Sequence, residues 1–247
     1  MLKKFRADLH IHTCLSPCGS LSMVPGVIVE EARKRGLDVI GICDHNATEN
    51  VRSVRRAAEK EKIAVLGGME VTSAEEVHVL ALFDDDEKLF ELQRLVYDSL
   101  PGVNDAEVFG EQVIVNENNE VVDVNDRLLI GATALPLEKV VETTHLLGGL
   151  AIASHADREG FGIIGHLGFI PHGLQLDAIE VSPKMPADRA RAMLPQVAGF
   201  PIVGFSDAHY PEDIGRRWTT FVVEDARVQE IRKALLGREG RGVLVEE

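Results

Sequence analysis

The stretch FRADLHIHTCLSPCGS, residues 5–20, sets a short strand-like run against two histidines and two cysteines. Phe5–Leu9 reads as a strand. In an extended chain residues i and i+2 point the same way, so His10 and His12 aim at one point just past its end. By itself an H-x-H pair is as compatible with two satisfied or surface histidines as with a metal site. Cys14 and Cys18 have the spacing C-x3-C, which is not the C-x-x-C of thioredoxin-like redox sites.

Six further apolar runs read as strands: Val39–Cys43, Ile63–Met69, Val77–Phe83, Gly149–Ser154, Ala178–Val181 and Pro201–Ser206. Their continuity, rather than alternation, predicts strands buried on both faces. Between them Ser22 with Pro25 opens a helical stretch that Gly36 closes, and Thr48 opens a charged one running to Lys62. Leu89, Leu92 and Val96 fall at helical spacing behind the acidic run Asp84–Asp86, which reads as an N-cap suited to the helix dipole. Such β-then-α repetition predicts an α/β fold, either a (β/α) barrel or a doubly wound sheet, with function at the C-terminal strand ends. The rhythm breaks over Pro101–Asp126, where QVIVNENNEVVDV (Gln112–Val124) predicts a hairpin. Residues 101–126 are therefore expected to be an insertion or flap within a single domain spanning 1–247.

The chain has 26 basic and 40 acidic residues, a net charge of −14, which opposes the phosphate attraction behind most nucleic-acid binding. A long nucleic acid is accordingly not the expected partner. Three cysteines cannot all pair, and the N-terminus lacks the apolar stretch of about 7–15 residues that a signal peptide needs. Together these predict a reduced, cytoplasmic protein. No run approaches the roughly 18 apolar residues of a membrane span, so no membrane association is expected.

Ligand-type residues recur at the strand ends. Asp207 and His209 repeat the i, i+2 spacing after Pro201–Ser206; Asp44 and His45 follow the second strand; Glu70 follows the third; His155 and Asp157 follow a later one. His78 lies inside an apolar strand, where an imidazole needs a partner. Each alone has a structural explanation, but together they predict a multi-metal site, since imidazole and carboxylate suit zinc, iron or manganese. A carboxylate such as Glu70 can bridge two ions.

In this order the residues resemble the polymerase and histidinol phosphatase (PHP) family, whose pattern is H-x-H, then D-H, Glu, His, His and D-x-H. The resemblance runs from Asp8 to about Gly215. It implies a distorted seven-stranded, TIM-like (β/α) barrel with two or three divalent ions (Zn, Fe or Mn) at its C-terminal mouth. It further implies that His10, His12, Glu70 and Asp207 hold one ion, and Glu70, His78 and His155 a second. His45, His209 and a residue behind the first motif would hold a third; where relatives commonly have His or Asp this chain has Cys18, whose thiolate would be a softer ligand.

Such ions activate water near neutral pH, so hydrolysis by a hydroxide held between two of them needs no covalent intermediate. Arg158 is the expected phosphate clamp, because a guanidinium binds two oxygens at once; a surface pair with Glu159 explains it equally well. Asp44 is expected to orient a neighbouring imidazole, and Asp157 to do the same or to protonate a leaving group. Arg216 and Arg217 read as a solvated turn, Lys184 as remote from ligand, His145 as a helix-surface residue and Cys43 as a small buried hydrophobe. The expected function is a metal-dependent phosphoesterase acting on a small phosphorylated substrate, whether phosphomonoester, nucleotide or phosphodiester. The alternatives are a nuclease or proofreading-like exonuclease, a non-catalytic metal-binding regulatory module, and C–N bond hydrolysis by the same centre.

Overall fold

All seven apolar runs become strands in the computed structural model, which describes residues 1–245. They are β1 (Lys3–Ile11), β2 (Val39–Ile42), β3 (Ala64–Thr72), β4 (His78–Phe83), β7 (Leu150–Ala153), β8 (Ala178–Glu180) and β9 (Ile202–Val203). The expected hairpin supplies β5 (Val113–Val115) and β6 (Val121–Val124), paired with each other in a separate two-stranded sheet. Two strands had not been expected, β10 (Thr219–Val223) and β11 (Gly242–Val245). The main sheet therefore has nine strands in the order β11-β10-β1-β2-β3-β4-β7-β8-β9.

It curls until its ends nearly meet. β11 lies against β9, and the segment beyond β9 bridges β1 through Ala208 and Ile11, with His12 N–H donating to Ala208 C=O at 3.0 Å. The seven-stranded ring expected from the sequence is thus present, with β10 and β11 added at its β1 edge. Strict β/α alternation does not hold: β4 runs antiparallel to both β3 and β7, because the turn Ser73–Val77 joins β3 directly to β4.

The helices are α1 (Pro25–Lys34), α2 (Val51–Ala58), α3 (Asp86–Ser99), α4 (Ala106–Phe109), α5 (Leu137–Leu146), α6 (Ile163–Leu167), α7 (Ala187–Met193) and α8 (Val228–Leu235). Pro25 opens α1 as a residue whose missing N–H costs nothing there. Beyond the end of α1, Gly36 takes a left-handed φ of 66°. Asp85 caps α3 by accepting the N–H groups of Glu87 (2.7 Å) and Lys88 (3.3 Å). The stretch read from Thr48 to Lys62 is helical only over α2.

Strand periodicity sorts the core into two clusters. Leu9 on β1, Leu80 and Leu82 on β4, Leu150 and Ile152 on β7 and Ala178 on β8 fill the barrel interior, closed below by Val228, Ile231 and Leu235 of α8. Ile40, Ile42, Val79, Ala81, Ala151 and Ala153 face outward onto the helices. Residues two apart share a face. Glu70 therefore follows Leu66 into the interior, His78 precedes Leu80, and Glu180 follows Ala178. The interior is apolar for most of its depth and polar at the C-terminal mouth.

Candidate metal centre

Glu70, 1% exposed at the end of β3, organises the mouth. Its Oε1 lies 3.0 Å from His78 Nδ1, 3.2 Å from His155 Nε2 and 3.4 Å from His10 Nε2. Its Oε2 lies 3.2 Å from His45 Nδ1 and 3.4 Å from His12 Nε2. One carboxylate thus presents each oxygen to a different group of imidazoles. Asp207 Oδ1 is 3.3 Å from the Nε2 atoms of both His10 and His12, and Asp207 Oδ2 accepts from Arg158 at 2.6 Å.

Among the described residues, three sets of ligand-type atoms lie mutually within 4.8 Å: His10, His12, Glu70 and Asp207; His45, Glu70 and His78; and His12, His45 and His209. The first is the set expected for one ion. His155 contacts Glu70 but falls outside all three sets, and so does Cys18, which stands exposed on its loop.

The arrangement fits cations. His10 Nε2 and His12 Nε2 face each other at 3.2 Å, and Glu70 Oε1, Asp207 Oδ1, His45 Nδ1 and His78 Nδ1 are buried without hydrogen-bond partners. Such a concentration of orphaned buried groups is costly unless something converges on them. Although desolvation opposes it, Glu180, Asp207 and Glu70 drive the His10 imidazole well above its ordinary value. His12 is likewise raised to about 9 by Asp207 and Glu70 against desolvation. Desolvation holds His45 well below the ordinary value, and lowers His209 to about 4 with help from the charge on His12. Glu70 and Asp207 both sit low despite burial, because His78 and His10 stabilise the first anion and His10 and His12 the second.

A second layer aims the first two histidines. His10 Nδ1–H donates to Glu180 at 2.9 Å, and the same carboxylate accepts the backbone N–H of His155 at 3.3 Å. His12 Nδ1–H donates to Ser16 Oγ at 2.9 Å, and Ser16 Oγ donates to Asp44 at 2.7 Å. Both contacts leave Nε2 free to face the centre. Asp44 also accepts Thr13 N–H (2.7 Å) and Thr13 Oγ1–H (2.8 Å), so it is fully engaged and 0% exposed. It acts on His12 through Ser16.

Glu180 was not singled out in the sequence. The available signal was an acidic residue inside the apolar run Ala178–Val181, where a buried charge demands a partner. Asp157 does not line the metal cavity; it accepts Ser182 N–H (2.7 Å) and Ser182 Oγ–H (2.5 Å). His155 and Asp207 take left-handed φ values of 26° and 51°, and such strain in non-glycine residues gathers at functional sites.

A cavity of about 180 Å³ opens over the centre, lined by Glu70, His155, Arg158, Asp207 and His209, with Phe161 and Ile130 as apolar walls. Phe161 stacks on His78, ring centroids 4.5 Å apart. Ile130 belongs to the loop behind the hairpin, which Asn46 ties down by donating to the carbonyls of Leu129 and Gly131, both at 2.9 Å. His145 instead pairs with Asp177 at 2.8 Å on the outside of the barrel. Among the described residues no helix is long and apolar enough to cross a membrane.

A family model described as PHP domain matches residues 8–170, and one described as PHP-associated matches residues 192–239. The uncharacterised protein YqxK of Bacillus subtilis (strain 168) is 25% identical over 264 aligned positions, covering 98% of this chain and 65% of that protein. The lesion-specific endonuclease PfuEndoQ of Pyrococcus furiosus superimposes with a TM-score of 0.77 at 21% identity, over 98% of this chain and 58% of that one. A complex of endonuclease Q with a 27-mer duplex carrying an abasic lesion at its active site gives a TM-score of 0.73 at 21% identity, with 97% and 58% covered. The chain thus spans less than two thirds of the length of each.

Proposed function

This chain belongs to the PHP domain family of metal-dependent phosphoesterases, and on that premise we propose that it hydrolyses phosphoric esters of small phosphorylated molecules at the barrel mouth. The observation that carries the reading is Glu70, a buried carboxylate on which five imidazoles converge and which two of the ligand sets share. His10, His12, Glu70 and Asp207 would hold one divalent ion, and His45, Glu70 and His78 a second with His155 beside them. The set His12, His45 and His209 reuses His12, whose single inward nitrogen serves one ion at a time, so it is an alternative placement and not an added third site. The nitrogen and oxygen donors suit zinc, iron or manganese. Bound there, such ions would make water a nucleophile near neutral pH and offset charge on phosphoryl oxygens.

The chain's own residues supply position and exclusion. Arg158 lines the cavity with its guanidinium against Asp207, placed to bind the oxygens of an incoming phosphoryl group. Phe161 and Ile130 narrow the entrance and limit water. Asp44 through Ser16, and Glu180 directly, hold His12 and His10 in the tautomers that present Nε2 inward. Asp157 fixes the Ser182 loop. The cavity's size and the net charge of −14 favour a small substrate. Three unpaired cysteines suit a reducing, cytoplasmic setting. Cleavage of nucleic acid is the second reading, favoured by the fold shared with a lesion endonuclease.

The test is metal analysis of the purified protein followed by a panel of phosphomonoesters, phosphodiesters and a lesion-bearing duplex. We expect turnover of a small ester, lost in His12→Ala and Asp207→Ala with the circular dichroism spectrum retained. Protein carrying two or more metals that is inert on the whole panel would overturn the proposal.

A further inference from the structure

We propose that the cleft beside the metal cavity is a subsite for a second, non-reacting phosphate, so that the preferred substrate carries two phosphate groups. The inference rests on the phosphoesterase reading and names the substrate class for the same centre. The cleft encloses about 420 Å³ and shares Arg158 and Asp207 with the metal cavity, so one ligand can occupy both. Its other polar walls are Lys184, Arg216, Ser182, Ser206 and Asp213.

Four cations gather here in a chain whose net charge is −14. Lys184 is exposed, and among the described residues it has no ion-pair or side-chain hydrogen-bond partner. Arg158 bridges the two cavities, and Arg216 pairs with Asp213 at the rim. Arg217 lies beneath, only 8% exposed; its Nη1 donates to Pro183 C=O at 3.4 Å, while its Nε and Nη2 are buried without partners. Room for that side chain is made by Gly204, where a Cβ would stand 2.5 Å from Arg217 Nε. The sequence reading of Arg216 and Arg217 as a solvated turn therefore holds for Arg216 alone.

Three carboxylates stand against these cations: Asp207 pairs with Arg158 through Oδ2, Asp213 with Arg216, and the charge of Asp157, which also holds Ser182 through that residue's N–H and Oγ, acts on Arg217. Lys184 is the cation left over among the described residues, and each paired guanidinium keeps N–H donors its carboxylate does not use. A tetrahedral dianion reaching this cleft from a phosphoryl group at the metal centre would meet Lys184, Arg216 and the free side of Arg158.

The test is calorimetric binding of alkanediol bisphosphates, with linkers of two to six carbons, to the metal-loaded protein, each compared with the matching alkyl monophosphate. At least one linker length is expected to bind about tenfold tighter than its monophosphate. That ratio should fall towards one in Lys184→Ala/Arg216→Ala and in Lys184→Glu, both on the surface, and stay unchanged in Lys88→Ala on α3. A 5′-phosphorylated tetrathymidylate in the same assay separates the sources of the second phosphate: tighter, Lys184-dependent binding assigns a polynucleotide end, and weaker binding a free small molecule. Equal binding of bisphosphates and monophosphates, or a ratio unmoved by the Lys184 and Arg216 variants, overturns the subsite. Turnover measured in parallel separates the two proposals. A preserved ratio without hydrolysis leaves the subsite and removes the esterase reading, and hydrolysis without a preference does the reverse.

Discussion

Replacing Glu180 by glutamine isolates what its charge does for the metal centre. The carboxylate is fully buried and accepts His10 Nδ1–H at 2.9 Å and His155 N–H at 3.3 Å. Glutamine keeps the volume and an acceptor oxygen, so the imidazole keeps its orientation. What disappears is the negative charge that makes Nε2 a stronger donor. Loss of such a partner typically weakens metal binding by about 10–100-fold, roughly 1.4–2.7 kcal/mol. The pH dependence has a definite sign. Without metal, Glu180 is the largest influence raising His10 above its ordinary value, against desolvation, so an ion must displace a proton from that ring. Removing the charge weakens proton and metal alike. In acid the two losses offset each other; as pH climbs past the His10 value only the metal loss remains. Zinc competition against a chelator over a pH series, with circular dichroism confirming the fold and the titration of the His10 ring followed by NMR, should therefore show a defect that grows as pH passes that titration. A defect that stays flat across it, or shrinks, would refute the account of Glu180.

In metal-free protein the His12 imidazole, raised from 6.5 to about 9, contributes stability that is complete below pH 6.5 and lost as pH rises through 9. The Tm of chelated protein should fall over that window, more steeply than that of His12→Gln; parallel curves would count against the assignment. Asp44→Ala removes a buried acceptor of three hydrogen bonds, at roughly 1.5–3 kcal/mol each for charged groups, and should lower the denaturation midpoint sharply together with zinc affinity. An unchanged midpoint would show that Asp44 does not brace the Thr13–Ser16 turn. Cys18→Ser should leave metal content unchanged, because the thiol lies outside the three ligand sets; loss of one equivalent would make Cys18 a ligand.

What could be read in the sequence follows from its periodicities. Largely apolar runs marked all seven ring strands, and ligand-type residues at their ends converged because the parallel strands deliver their C-terminal ends to one mouth and the antiparallel β4 brings its N-terminal His78 there. β10 escaped because Thr219 and Thr220 begin it beside the polar Gly215–Trp218 turn, with only the short 3-10 turn Pro211–Asp213 between β9 and it. The antiparallel β4 escaped because periodicity gives the existence of a strand and says nothing of its direction. Glu180 and Arg217 were hidden for a common reason: each is a charged residue whose burial is created by residues outside its own element. His10, 170 positions distant, receives Glu180, and Gly204 opens the space for Arg217.

The central claim is that Glu70 joins two groups of ligands into one centre. Metal equivalents per chain, measured by inductively coupled plasma mass spectrometry on wild type and Glu70→Gln prepared identically, test it directly. The account predicts two or more equivalents in wild type and one or none in Glu70→Gln. Full metal content in the variant, or at most one equivalent in wild type, would contradict it.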